Sequence, residues 1–123
     1  MKLKSKEISA YREQQLQKQN GLDPITLIKI TAPALDHDHS QGNVRMVLQR
    51  EVNAFEGKIF NAWRRYLKHL GIPIITALEG LCWYYEQDFT NNPIHPTHRS
   101  QDEKRERRNK LAKRARDKKK GNK

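Results

Sequence analysis

A tight turn between two short strand-like runs, followed at once by a helical repeat, limits what this chain can fold into more than any other feature. Ser40, Gln41, Gly42 and Asn43 make the turn, and Gly and Asn tolerate the positive φ that a hairpin needs. Val44 to Leu48 is β-branched and apolar enough for the second strand, and Asp36-His37-Asp38-His39 closes the first. From Glu51 the apolar residues recur every three or four positions, so Asn53 falls in the first turns of a helix. The order is strand, turn, strand, helix, with Asp-His on a strand and Asn on the helix. Such a cradle suits one hard divalent cation. Carboxylate and amide oxygens fit magnesium or manganese, which keep waters and accept phosphate oxygens as further ligands. An imidazole beside the ion can take a proton from a water near neutral pH.

The charge distribution says what such a site would face. The 123 residues carry a net charge of +11 with a pI near 10.0, pointing to a polyanionic partner. Residues 99–123 hold 13 Lys or Arg against 4 Asp or Glu, whereas residues 1–98 hold 12 against 10. The division expected is a nearly neutral folded domain over 1–98 and a basic DNA-binding tail over 99–123, helical when bound and flexible when free. Lys104, Arg105, Arg107, Arg108, Lys113 and Arg114 are its candidate phosphate contacts. With 35% hydrophobic residues, a body this small is marginal as a monomer, which favours oligomers. The lone Cys82 excludes an intrachain disulfide and suits a reducing cytoplasm. The start of the chain has no signal-peptide pattern, and no apolar run approaches the roughly 20 residues of a membrane span.

Around the motif the reading is mostly helical. Residues 5–20 lack Gly and Pro and are rich in Glu, Gln, Lys and Arg, predicting a lightly packed helix ended by Gly21. Residues 22–34 are extended or irregular, with a strand expected over 26–30. Val52, Phe55, Ile59, Trp63, Tyr66 and Leu70 make one stripe of a helix over 51–70, stopped by Gly71. Pro73 introduces a second apolar helix over 74–88, and the pair is expected to form a hairpin. Their helical spacing makes the aromatics core or interface residues in preference to base-stacking ones, with Cys82 buried among them. The fold class expected is α+β and mostly helical.

Asp36-His37-Asp38-His39, Gly42-x-Val44-Arg45-x-x-Leu48 and Asn53-x-x-Glu56-Gly57 resemble the phage recombination endonuclease VII family. That family is the junction-resolving branch of the HNH, or ββα-metal, nucleases. Tyr11-Arg12, Gln19-Asn20-Gly21 and Asn91-Asn92-Pro93-Ile94-His95-Pro96 are similar to segments flanking its motif, so the resemblance spans roughly residues 11–96. It implies a ββα-metal hairpin and helix, further helices that intertwine a homodimer over about 51–88, and metal-dependent cleavage of four-way (Holliday) and Y junctions. By resemblance Asp36 and Asn53 hold the metal, one magnesium or manganese ion per site, and His37 is the general base. It also places the protein in phage DNA metabolism, in the cytoplasm of an infected bacterium. The family's two Cys-x-x-Cys pairs, which bind a structural zinc, would fall on Asp23, Thr26, Gln49 and Val52, so no structural zinc is expected. Leu22, Ile25, Leu27, Ile28, Ile30 and Val52 are candidates for an apolar brace in its place.

Other positions keep two readings. His39 is a phosphate or supporting contact, or a structural histidine. Arg45 holds phosphate or pairs with Asp38, and Asp38 orients a neighbour or holds the hairpin. Glu56, one turn after Asn53, reaches the same site or is an ordinary surface glutamate. Asp36 and His37 point to opposite faces of a regular strand, so they serve one site only if the strand twists or breaks there. Two other functions stay open: a general HNH nicking endonuclease without junction preference, and a catalytically silent DNA-binding or packaging protein.

Overall fold

In the computed structural model, which describes residues 1–121, the chain is α+β and mostly helical, with one two-stranded antiparallel sheet. It divides into two compact units, Met1–Tyr85 and Glu86–Lys123. The boundary lies ahead of the step in charge at residue 99. The last two positions of the 99–123 tail lie outside the described residues.

In the first unit a single 3-10 turn, Ser5–Glu7, runs into helix α1, Ile8–Lys18. The helix stops where Asn20 (φ 55°) and Gly21 (φ 71°) turn left-handed, and none of its residues is buried. The strand expected over 26–30 does not form. One isolated bridge, Leu22 with Lys29, closes a loop in which Leu27 adopts φ 62°. That conformation costs a bulky residue about 1–2 kcal/mol. Hydrogen bonds within the loop offset the cost: Asp23 N–H donates to Ile28 O and Leu27 N–H to Asp23 O, both at 2.8 Å.

Strands β1, Pro33–His37, and β2, Val44–Gln49, then pair across the turn. Asp38 holds that turn, its Oδ1 accepting from Ser40 N–H at 2.7 Å and Gln41 N–H at 2.8 Å. These two donors hold the Asp38 carboxyl below its ordinary pKa. Helix α2, Arg50–Tyr66, follows β2 directly and ends in a 3-10 turn, Lys68–Leu70, with Gly71 at φ 73°. After Pro73 comes α3, Ile74–Glu86, tied to α2 where Trp63 Nε1–H donates to Ile72 O at 2.8 Å.

The buried apolar core is small: Ile30, Val47 and Leu48. Of the apolar brace expected in place of zinc, only Ile30 is buried; Leu22, Ile25, Leu27 and Ile28 are exposed. The brace is polar instead. Asp23, fully buried, accepts from Ile25 N–H (2.8 Å) and Thr26 N–H (2.9 Å) on Oδ1 and from Gln49 N–H (2.8 Å) on Oδ2. The Gln49 side chain accepts from the backbone of Thr31 (2.8 Å) and Ala32 (3.0 Å), stitching that segment to the end of β2. Gln19 clasps Val47, donating to its carbonyl and accepting from its N–H, each at 2.8 Å. A carboxylate and two amides therefore join α1, the loop and β2.

Helices α2 and α3 do not close into a packed hairpin. They leave an apolar groove of about 290 Å³ lined by residues including Ile59, Trp63, Ile74, Leu78 and Leu81. Phe55, Tyr66, Ile75, Trp83 and Tyr85 are exposed on the same two helices, and Leu70 on the 3-10 turn between them. Cys82, expected to be buried, is exposed as well.

In the second unit, α4, Gln101–Gly121, is helical. Its run of Lys, Arg, Glu and Ala favours helix. Ser100 Oγ accepts from Glu103 N–H at 3.1 Å, and Asp102 and Glu103 face the positive end of the helix dipole. Lys118, Lys119 and Lys120 sit at the opposite, negative end. Among the described residues, no helix is long and apolar enough to cross a membrane.

Candidate metal centre

The candidate centre forms where β1 loses its regular register. Leu35 pairs with Val47 but His37 pairs with Val44, so Asp36 alone stands opposite Arg45 and Met46. This extra residue on β2 is a β-bulge, which breaks the regular pairing beside Asp36. Asp36 turns inward and is 7% exposed, while His37 next to it is exposed.

A carboxylate that buried needs a cation or donors. Arg45 Nε donates to Asp36 Oδ2 at 2.6 Å, and Arg45 Nη2 lies 3.1 Å from Glu56 Oε1. The hydrogen bond that it donates to Asp36 does most to raise the guanidinium's pKa above its ordinary value, with Glu56 adding to it against burial. The other oxygen of Glu56, Oε2, is 3.0 Å from His39 Nε2. The His39 ring stacks on Phe60 of α2, centroids 4.6 Å apart and planes 15° apart, which fixes the imidazole over the helix. Ligand atoms of Asp36, His39 and Glu56 all lie within 4.8 Å of one another.

Asp36, His39, Arg45 and Glu56 are thus brought into one cluster. The His37 ring lies 6.1 Å from that of His39, beside the cluster and open to solvent. Asn53 is half-buried on α2 one turn before Glu56, on the same helix face. Arg45 pairs with Asp36 and Glu56 in place of the Asp38 expected, because the irregular register brings its side chain to Asp36. Lys104, Arg105, Arg107, Arg108, Lys113 and Arg114 lie on α4 in the other unit. There Arg99, Lys104, Arg107 and Arg108, with Thr97 and Leu111, line a cleft of about 420 Å³.

The donor set fits a small divalent cation. Two carboxylates from different elements, an imidazole and an amide nearby offer hard oxygen ligands plus one nitrogen, a set for magnesium or, with the imidazole, manganese. The polar residues of the brace were missed from sequence, although Asp23 and Gln49 stand where two of the family's cysteines would be. Phe60 was missed too, and its position four residues after Glu56 was the available signal. No protein-family model matches the chain.

Proposed function

We propose that the protein is a metal-dependent endodeoxyribonuclease of the HNH, ββα-metal kind, cleaving branched DNA such as four-way and Y junctions. The observation that carries the reading is the meeting of Asp36, His39 and Glu56 ligand atoms within 4.8 Å, between a hairpin and a helix, with His37 alongside. Asp36 and Asn53, with Glu56 or His39, would hold one magnesium or manganese ion. Such an ion supplies positive charge to the phosphate oxygens and to the departing 3′ oxygen. An imidazole nitrogen of His37, open to solvent, accepts the proton of the attacking water. The water oxygen bonds to phosphorus, the bond from phosphorus to the 3′ oxygen breaks, and that oxygen takes a proton from solvent while His37 returns its own to solvent.

The junction preference and the setting, phage DNA metabolism in the bacterial cytoplasm, rest on resemblance alone. The deciding experiment incubates the purified protein with a labelled four-way junction and a matched linear duplex, with magnesium and then with chelator. Magnesium-dependent cuts confined to the junction support the proposal. Equal cutting of both substrates makes the protein a general nicking enzyme, and no cutting with any divalent ion removes the enzymatic reading.

A homodimer built on α2 and α3 belongs to the same proposal. Exposed apolar patches of this extent mark interfaces, and three buried core side chains leave a lone unit marginal. Sedimentation at micromolar concentration is expected to give a dimer, and Leu81→Asp to shift it towards monomer. A stable wild-type monomer would refute the interface.

The basic segment supplies affinity without selectivity in this reading, having no aromatic residue from 99 to 123 to stack on a base. Removing residues 99–123 is expected to weaken binding to junction and linear DNA by similar factors. It should also flatten the salt dependence, by about 0.9 in log–log slope for each duplex phosphate that is no longer neutralised. Selective loss of junction binding would contradict this.

A further inference from the structure

We propose that Arg45 is a resident counter-ion that a divalent metal must displace, and that its displacement frees the guanidinium to hold the substrate phosphate. The inference rests on the metal-centre reading above. One guanidinium bridges two carboxylates from different elements, Asp36 on β1 at 2.6 Å and Glu56 on α2 at 3.1 Å. Those same carboxylates are the anionic members of the candidate ligand set. Arg45 therefore supplies the positive charge that a metal would bring.

Charge balance argues for exchange. Two carboxylates and a guanidinium leave one negative charge, whereas two carboxylates and a dication are neutral. Keeping both cations leaves an excess positive charge in a partly buried cluster, where like charges repel more strongly than in water. Arg45 also has a way out. Its side chain is 37% exposed, and it stands in the irregular part of the sheet, opposite Asp36 beside Met46. A guanidinium released at that rim is permanently charged, and its planar fork matches phosphate oxygens. Metal and phosphate binding are then coupled through one side chain.

The test measures Mn²⁺ binding to the full chain without DNA, by electron paramagnetic resonance of the free ion. Arg45→Gln removes the competing charge and is expected to bind Mn²⁺ on the order of tenfold more tightly, the effect of no longer giving up a charge-assisted bond. Arg45→Lys, which keeps the charge and loses the two-pronged geometry, is expected to fall between the two. Circular dichroism checks the fold, and Arg45→Lys carries the test if the Gln variant unfolds. In a second arm, Ca²⁺ is expected to raise the affinity of the wild type for a short DNA duplex several-fold, and that of Arg45→Gln much less. Equal or weaker Mn²⁺ binding by the variants overturns the displacement. An equal Ca²⁺ gain overturns the release to phosphate. Absence of Mn²⁺ binding by every form overturns the metal centre itself, and the proposal with it.

Discussion

Alanine at His37 is expected to slow cleavage of a four-way junction about 10²–10⁴-fold, the usual worth of a general base. Alanine at Asp36 or at Asn53 is expected to abolish cleavage. Binding should change little in all three, because most of the positive charge lies in residues 99–123, which include none of these positions. Single-turnover cleavage of labelled junction gives the first quantity and fluorescence anisotropy the second. Asp36→Ala also takes a partner from Arg45, so Asp36→Asn, which keeps an acceptor oxygen for the guanidinium, separates lost metal binding from lost packing. Near wild-type rates in the Asp36 and Asn53 variants would remove the site assignment.

The largest stability effect is expected at Asp23. Its carboxylate accepts three backbone N–H groups, and hydrogen bonds to a charged group contribute roughly 1.5–3 kcal/mol each. In Asp23→Ala, water can reach the more open donors of Ile25 and Thr26, but the buried N–H of Gln49 is left without an acceptor. A loss of about 3–5 kcal/mol is therefore expected in chemical denaturation. With so small an apolar core, that loss is a large part of the whole. An unchanged denaturation midpoint would show that the brace contributes nothing. Chelator should leave the wild-type midpoint where it is, and elemental analysis should find no stoichiometric zinc, because carboxylate and amide groups take the bracing role.

Acid offers an independent check. Burial pushes the Asp23 carboxyl up, but the N–H groups of Gln49, Thr26 and Ile25 outweigh it and hold it below its ordinary 3.8. A carboxyl lowered by folding stabilises fully above its unfolded pKa and loses that contribution as pH falls through the folded one. The contribution of Asp23 should thus be whole at neutral pH and fade only below about pH 4. Asp23→Asn, less stable than wild type at neutral pH, should approach it there.

What was legible in the sequence was local. The Gly42 turn, the shift to helical spacing after Glu51, the stop at Gly71 and the restart after Pro73 each depend on a few neighbouring residues. The brace depends on partners far apart, Asp23 with Gln49 and Gln19 with Val47, and no periodicity marks such pairs. A search for apolar replacements pointed to Ile25 and Leu27, yet the side chains that bind the backbone there are polar. The conflict between Asp36 and His37 was visible as an alternation that did not fit one site. The bulge beside Asp36 was not, because an extra residue on β2 looks in sequence like ordinary strand. The helical start at Ser100 is readable from Ser100-Gln101-Asp102-Glu103, the spacing of a capping box.

The clasp at Val47 and the bond from Gln49 N–H to Asp23 have a consequence for how this small sheet behaves in company. A two-stranded sheet has open edges, and unpaired backbone groups along them invite a strand from another molecule. On the outer side of β2, Gln19 fills both the donor and the acceptor of Val47, and Asp23 fills the donor of Gln49, as a neighbouring strand would. Two side chains stand in for a third strand. With those groups taken, this stretch of β2 offers another chain's strand no free backbone donor or acceptor at Val47 and no free donor at Gln49.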